Sequence, residues 1–341
     1  MARKTKLNDI TNPELIAQVN PENIRLKNDF ADYMRSIQRS ASTISVYMND
    51  LDIAFVWCLK NNNNKFFVDW TKRDIVSFQN WLINVNGNSP ARVRRLKATL
   101  SSLSNFIESI LDDEYPQFRN IVHKIENPIN QPVREKTVLT DEQIDKLLNT
   151  LVEQGQIEKA CMVALAICSG RRKAELVRFK VEYFNDENLI CDGALYKTSE
   201  KVKTKGRNHG KYIYLYVLAK RFKPYLDLWI KYRKLNDIDS VWLFPDKNHP
   251  EKHMSSDTLN SWATTMSNIL GTDFYWHAMR HAHVTYLVRA GIPDSVIQEL
   301  IGWDSADMCR IYTDIEAEEQ FAEYFKNGDI VTKEKTGLNS L

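Results

Sequence analysis

The stretch HAMRH, residues 277–281, decides how this chain is read. His277 and Arg280 are three apart, so on a helix they share a face. A guanidinium and an imidazole side by side suit a bound oxyanion, one as a bidentate donor and the other as donor or proton acceptor. Metal binding is the rival, since His277 and His281 are four apart and His283 is near. It is disfavoured because Arg280 would repel a cation and the glutamate of H-E-x-x-H is missing. His281 reads as a core or capping histidine.

Three further segments carry compatible chemistry. In SGRRKAEL, residues 169–176, a glycine permits a tight turn before a helix, and an arginine at that helix start joins backbone N–H groups that favour anions. Alone, Arg171, Arg172 and Lys173 would be a basic surface turn. Residues 189–217 have strand character, with Tyr212, Tyr214 and Tyr216 alternating against Ile213, Leu215 and Val217, and GRNHG (206–210) forms a turn. Lys197, Lys201, Lys203, Lys205, Arg207 and Lys211 crowd this hairpin, with Glu200 as its acid. Lys203 and Lys205 point to one face, and either ammonium can donate a proton; the others suit phosphate attraction. In GWDSADMCRIYTD, residues 302–314, the Trp303 indole can donate but cannot act as a base. Trp303 and Tyr312 alone would more often be core. An oxygen nucleophile, two guanidiniums and further donors are what metal-free phosphodiester cleavage requires.

In this order and spacing, the motifs resemble the tyrosine recombinase (integrase) family from about Ser42 to Tyr312. Gly170, Arg172, Glu175 and Leu176 match its Gly-x-Arg-x-x-Glu-Leu signature, and HAMRH matches its His-x-x-Arg-His. Ala290–Pro293 followed by Val296–Ile301 resembles its helix–turn–helix. Two departures stand out: Arg171 replaces a usually apolar residue, and Trp303 replaces the histidine of a Gly-His pair about nine residues before the nucleophile. The resemblance implies that Tyr312 attacks DNA to form a 3′-phosphotyrosyl bond. Arg172, Arg280, His277 and Trp303 would serve the phosphate, and Lys203 or Lys205 would protonate the leaving 5′ oxygen. It implies no ATP, metal or other cofactor. The expected partners are double-stranded DNA carrying specific recombination sites, three further copies in a synaptic homotetramer, and accessory DNA-bending proteins. The implied fold is mainly α with a small β-sheet (α+β), a helical core-binding bundle plus a catalytic domain closing on DNA as a C-shaped clamp. A type IB topoisomerase, a DNA-binding relic without activity and a metal-dependent nuclease are the alternatives.

The rest of the chain fits two domains, the default for 341 residues. Residues 1–24 read as a flexible segment, 25–126 as a helical DNA-binding bundle, 127–138 as a linker, 139–326 as the catalytic domain and 327–341 as a tail. Four helical faces are centred on Phe30–Ile37, Ile44–Phe55, Ile75–Leu82 and Val93–Phe106. Thr140 and Gln143 form a capping box that opens the second domain. Arg92, Arg94, Arg95 and Lys97 crowd the first turns of the fourth helix, where cations oppose the macrodipole. Backbone phosphates and a plain solvated face account for them equally well. With Lys201 and Arg207 they complete the expected DNA contacts. A net charge of +2 is uninformative. Five cysteines without framework spacing read as reduced thiols, the apolar run Ala160–Cys168 is too short to cross a bilayer, and the basic N-terminus lacks a signal-peptide core. A cytoplasmic protein acting on DNA is the resulting expectation.

Overall fold

Polar caps and prolines set the helix starts in the computed structural model, which describes residues 10–129, 139–204 and 211–305 and the backbone of 325–326 and 329–330. The described residues group into two compact units, one on each side of residues 130–138. The first contains helices α1 (Pro13–Ile16), α2 (Pro21–Ser36), α3 (Ala41–Asn61), α4 (Lys72–Asn80) and α5 (Pro90–Ile110). Asn20 caps α2 with Pro21 at its first position, and Ser89 with Pro90 does the same for α5. There the side-chain oxygen meets an orphan N–H, and proline forgoes a donor the helix could not have used. Thr71 and Asp74 form a reciprocal capping box on α4. α4 continues into a π-helical turn, Trp81–Val85. The core of this unit joins Phe30, Leu51, Phe55, Trp57, Phe67, Trp70, Phe78, Leu96 and Leu100. Each fully buried aliphatic or aromatic side chain here contributes roughly 1.5–3 kcal/mol.

The second unit is built round one apolar helix. The capping box of Thr140 and Gln143 opens α6 (Asp141–Glu153). α7 (Ile157–Ser169) follows, and every residue from Ala160 to Ser169 is buried. A helix apolar on all sides must be surrounded, and α6, α9 (Ala219–Leu235) and α11 (Trp276–Arg289) pack against it. α7 ends at Gly170 in the left-handed conformation, φ +60°, and the short α8 (Lys173–Leu176) follows two residues later. α10 (Thr258–Leu270) and α12 (Asp294–Ile301) complete the described helices. Gly302, also left-handed, ends α12.

The β-like stretch expected over residues 189–217, two strands about one turn, is divided between two sheets. β1 (Leu189–Ile190), β2 (Leu195–Lys197) and β5 (Tyr216–Leu218) form one antiparallel sheet in the order β1-β2-β5. β3 (Val202–Thr204) and β4 (Lys211–Ile213) form a separate hairpin with Val202 opposite Ile213 and Lys203 opposite Tyr212. The alternating run 212–217 breaks at Tyr214–Leu215 because Thr198 captures Leu215. The Thr198 N–H donates to the Leu215 carbonyl, and the Leu215 N–H donates to the Thr198 hydroxyl. β6 (Phe325–Lys326) and β7 (Asp329–Ile330) pair antiparallel near the end of the chain. The architecture is mainly α with small sheets, as the sequence suggests. No helix among the described residues is long and apolar enough to cross a membrane.

Candidate active site

The Gly170 turn separates two adjacent guanidiniums. Gly170 has no room for a side chain, since a Cβ there would lie 2.6 Å from the His283 ring. Arg171 turns inward. It is 1% exposed and donates to the carbonyls of Ile301 (3.2 Å) and Leu300 (2.5 Å), the last turn of α12. A cation at a helix C-terminus suits both the orphan carbonyls and the dipole. Burial pulls its pKa down to about 10, so it remains charged at neutral pH. Arg172 turns outward as the N-cap of α8. Its guanidinium lies 3.2 Å from the buried Glu175 carboxylate, which also accepts from the Arg172 N–H. With its side chain 37% exposed, Arg172 retains solvent-facing donors.

α11 brings the second half. Arg280 is buried, donates to the Gly170 carbonyl at 3.0 Å and lies over the Trp303 ring at 5.4 Å. Trp303 is itself buried just past the end of α12. His277, one turn before Arg280, is exposed. Partial burial, then the charges of Arg280 and Arg172, hold its pKa below the ordinary imidazole value. It is therefore neutral near pH 7 and able to accept a proton. His281 is half-buried and packs edge-on against His277, with ring centroids 4.6 Å apart. His283 is the core histidine instead: Nδ1 lies 2.7 Å from the Ile167 carbonyl, and burial lowers its pKa to about 4. Among the described residues, no group of three His, Cys, Asp or Glu side chains is placed to hold a metal ion.

Two contacts from β4 tie the hairpin to the segment that carries Trp303. Ile213 of β4 occupies the space where a Cβ on Gly302 would sit, 2.2 Å from its Cδ1. Lys211 pairs with Asp304 at 3.2 Å. Along β3 and the residue before it, Lys201 and Lys203 are exposed while Val202 and Thr204 are buried, the alternation that aims both ammonium groups to one face. Lys201 lies over the Tyr214 ring at 5.8 Å. Lys205, Arg207 and Tyr312 lie outside the described residues.

The basic start of α5 is arranged differently. Asp50 on α3 is 1% exposed and pairs with Arg92 (2.7 Å) and Arg95 (3.1 Å), with Thr99 donating as well. Burial raises the Asp50 pKa, and Arg95 and these hydrogen bonds oppose that rise. Lys97 is corrected as a surface contact. It is 3% exposed, and its ammonium caps the carbonyls of Ile125 and Glu126. Arg94 is exposed and reaches the Pro128 carbonyl at 3.4 Å. The cations that oppose the α5 dipole thus have intrachain partners, which the sequence alone did not disclose.

Arg280 thus links the Gly170 carbonyl to the Trp303 ring, and its charge and that of Arg172 act on His277, whereas the α5 cluster belongs to the other unit. Sequence reasoning missed Arg171 and His283 as the members that hold this arrangement from behind. The signal for Arg171 was its departure from an apolar position. For His283 it was the spacing of six from His277, which puts the two rings on different sides of a helix.

The sequence model described as the phage integrase family matches residues 137–319, more than half of the chain. A second, described as the phage integrase N-terminal SAM-like domain, matches residues 26–117. A prophage-derived recombinase-like protein, YomM of Bacillus subtilis (strain 168), is 28% identical over 296 residues, 84% of this chain and 85% of its own length. A tyrosine recombinase of Thermosipho africanus (strain TCF52B) is 24% identical over 300 residues, covering 86% and 95%. Among solved structures, XerH recombinase bound to a palindromic difH substrate aligns with TM-score 0.63 at 17% identity, covering 93% of each chain. A lambda integrase dimer on a COC′ core site aligns with TM-score 0.63 at 17% identity, covering 90% of this chain and 82% of its own. These two likenesses concern the fold.

Proposed function

The chain belongs to the phage integrase family, and from that premise we propose that it recombines duplex DNA at specific sites through a covalent phosphotyrosyl intermediate on Tyr312. The observation that carries this reading is Arg280, which donates to the Gly170 carbonyl two residues before Arg172, lies over Trp303 and, with Arg172, acts on His277. A scissile phosphate set against these groups meets two guanidiniums, which hold the charge of the pentacoordinate transition state. The Tyr312 oxygen bonds to phosphorus, and its proton passes to neutral His277. The bond to the 5′ oxygen breaks, and that oxygen takes a proton from Lys203 or Lys205. A 5′-hydroxyl from another strand reverses each transfer. One phosphodiester replaces another, so the exchange consumes no ATP.

Arg94, Arg95, Lys201 and Arg207 serve the phosphate backbone in this reading; Lys97 does not. Two rounds of exchange on paired sites need four protomers. In such a tetramer the segment after Tyr312, with Phe321 and Tyr324, docks on a neighbouring copy. An apolar-floored cavity of about 1000 Å³ between Leu139, Ile144, Ile167, Leu218 and Ala282 is suited to receive it.

The test is a suicide substrate, a nicked duplex whose short fragment bearing the freed 5′-hydroxyl diffuses away after cleavage. It should trap a covalent complex whose modified peptide contains Tyr312, and Tyr312→Phe should abolish the trapping. Undiminished trapping by Tyr312→Phe, or label on another residue, overturns the proposal.

A further inference from the structure

Arg178 lies just past α8, six residues from Arg172, and its guanidinium donates to the backbone carbonyl of Lys203 at 2.5 Å. β3 is paired with β4 alone, so its outward carbonyls need partners from elsewhere. A two-stranded hairpin is marginal by itself in water. Where it sits against the site therefore depends on a few ties. The root of the hairpin is fastened to the same stretch. Glu200 accepts from Lys180 and from the Tyr183 hydroxyl, each at 2.6 Å, and Lys180 lies near the rings of Tyr183 and Trp242. Thr198 donates to the Glu200 carbonyl at 2.8 Å. The segment that carries Arg172 thus grips the strand that carries Lys203 at two successive points.

We infer that Arg178 is a positioning residue for proton transfer, fixing strand β3, and with it the donor lysine, at a set reach from the phosphate held by Arg172. The inference rests on the reading that a lysine of this hairpin protonates the 5′ oxygen. A guanidinium suits the task because its planar fork holds one direction, whereas an ammonium swivels. The carbonyl of Lys203 is clamped while its side chain stays exposed, so the anchor restrains the backbone and leaves the ammonium able to swing.

The test compares two suicide substrates, one with the natural 5′ oxygen at the scissile phosphate and one with sulfur in its place. When sulfur leaves, the P–S bond breaks and the thiolate departs with the electron pair. A thiol has a reference pKa of about 8.5, so the thiolate leaves without a donated proton. At saturating DNA, Arg178→Ala should slow covalent capture about tenfold or more on oxygen and return to within about threefold of wild type on sulfur. Arg178→Lys, which keeps the charge and loses the fork, should fall between. Lys203→Ala and Lys205→Ala are measured alongside. If one lysine variant recovers on sulfur and Arg178→Ala does not, Arg178 has no part in proton delivery. Wild-type rates on oxygen, or a defect confined to DNA affinity, equally overturn the inference. If neither lysine variant recovers on sulfur, the underlying assignment of a hairpin lysine as proton donor fails instead.

Discussion

Two arginine clusters, one in each unit, are built on opposite principles. On α5, Arg92 and Arg95 converge on the buried carboxylate of Asp50. Around Gly170, Arg171 and Arg280 are held chiefly by carbonyls, those of Leu300, Ile301 and Gly170 itself. A carboxylate cancels the charge it orients; a carbonyl orients a guanidinium and leaves its charge in place. The second arrangement costs more to bury, as the lowered pKa of Arg171 reflects. In return Arg171 and Arg280 keep their charge beside Arg172, the one guanidinium of the group that the Glu175 carboxylate answers. The first fastens α3 to α5; the second is prepared for an anion that arrives later.

The sharpest way to break this contrast is to remove one exposed guanidinium from each cluster. Arg172→Ala should lower the rate of covalent DNA capture about 10²–10³-fold, the usual loss when a donor to a transition-state oxyanion is deleted. Arg95→Ala should leave the capture rate at saturating DNA near that of wild type. Comparable losses in both variants would erase the distinction.

Next in size is a pH effect peculiar to the second unit. His283 backs the Gly170 turn, and its folded-state pKa of about 4 lies below the 6.5 of an ordinary imidazole. The unfolded chain therefore binds the extra proton more readily. Stability is full above pH 6.5 and declines as pH falls from 6.5 towards 4, by up to about 3 kcal/mol. Denaturant titrations across that window check the loss, and His283→Gln should flatten it. A wild-type curve already flat there would remove His283 as the buried support.

The smallest effect separates two neighbours on α5. Arg94→Ala should reduce the slope of log affinity against log salt by about 0.9, the value for one phosphate contact. Lys97→Met should leave that slope unchanged, because its ammonium is already spent on Ile125 and Glu126. Binding isotherms at several salt concentrations measure both.

Much of the fold was legible because the helix signals are local. Ser89-Pro90, the Thr140–Gln143 box and the three-to-four spacing of Phe30 or Leu96 each act within a turn or two. Of the site, the sequence offered a set of residue types, and among them the structure joins Arg280 to Gly170 and to Trp303. What failed was anything that depends on a distant partner. Asp50 answers Arg95 from 45 positions away, and Ile301 answers Arg171 from 130. No periodicity carries that information. The strand run 212–217 misled for the same reason: a hydroxyl 17 residues upstream, on Thr198, divides it between two sheets.

Gly302 carries one further consequence. The methyl end of Ile213 fills the place where any other residue at 302 would put its first carbon. Positions 213 and 302 therefore cannot drift independently. A bulkier residue at 302 must be matched by a trimmed one at 213, and its left-handed backbone narrows the choice still more. In descendants of this chain the two positions should be inherited as a couple, and anyone regrafting the hairpin from another recombinase will have to carry both across together.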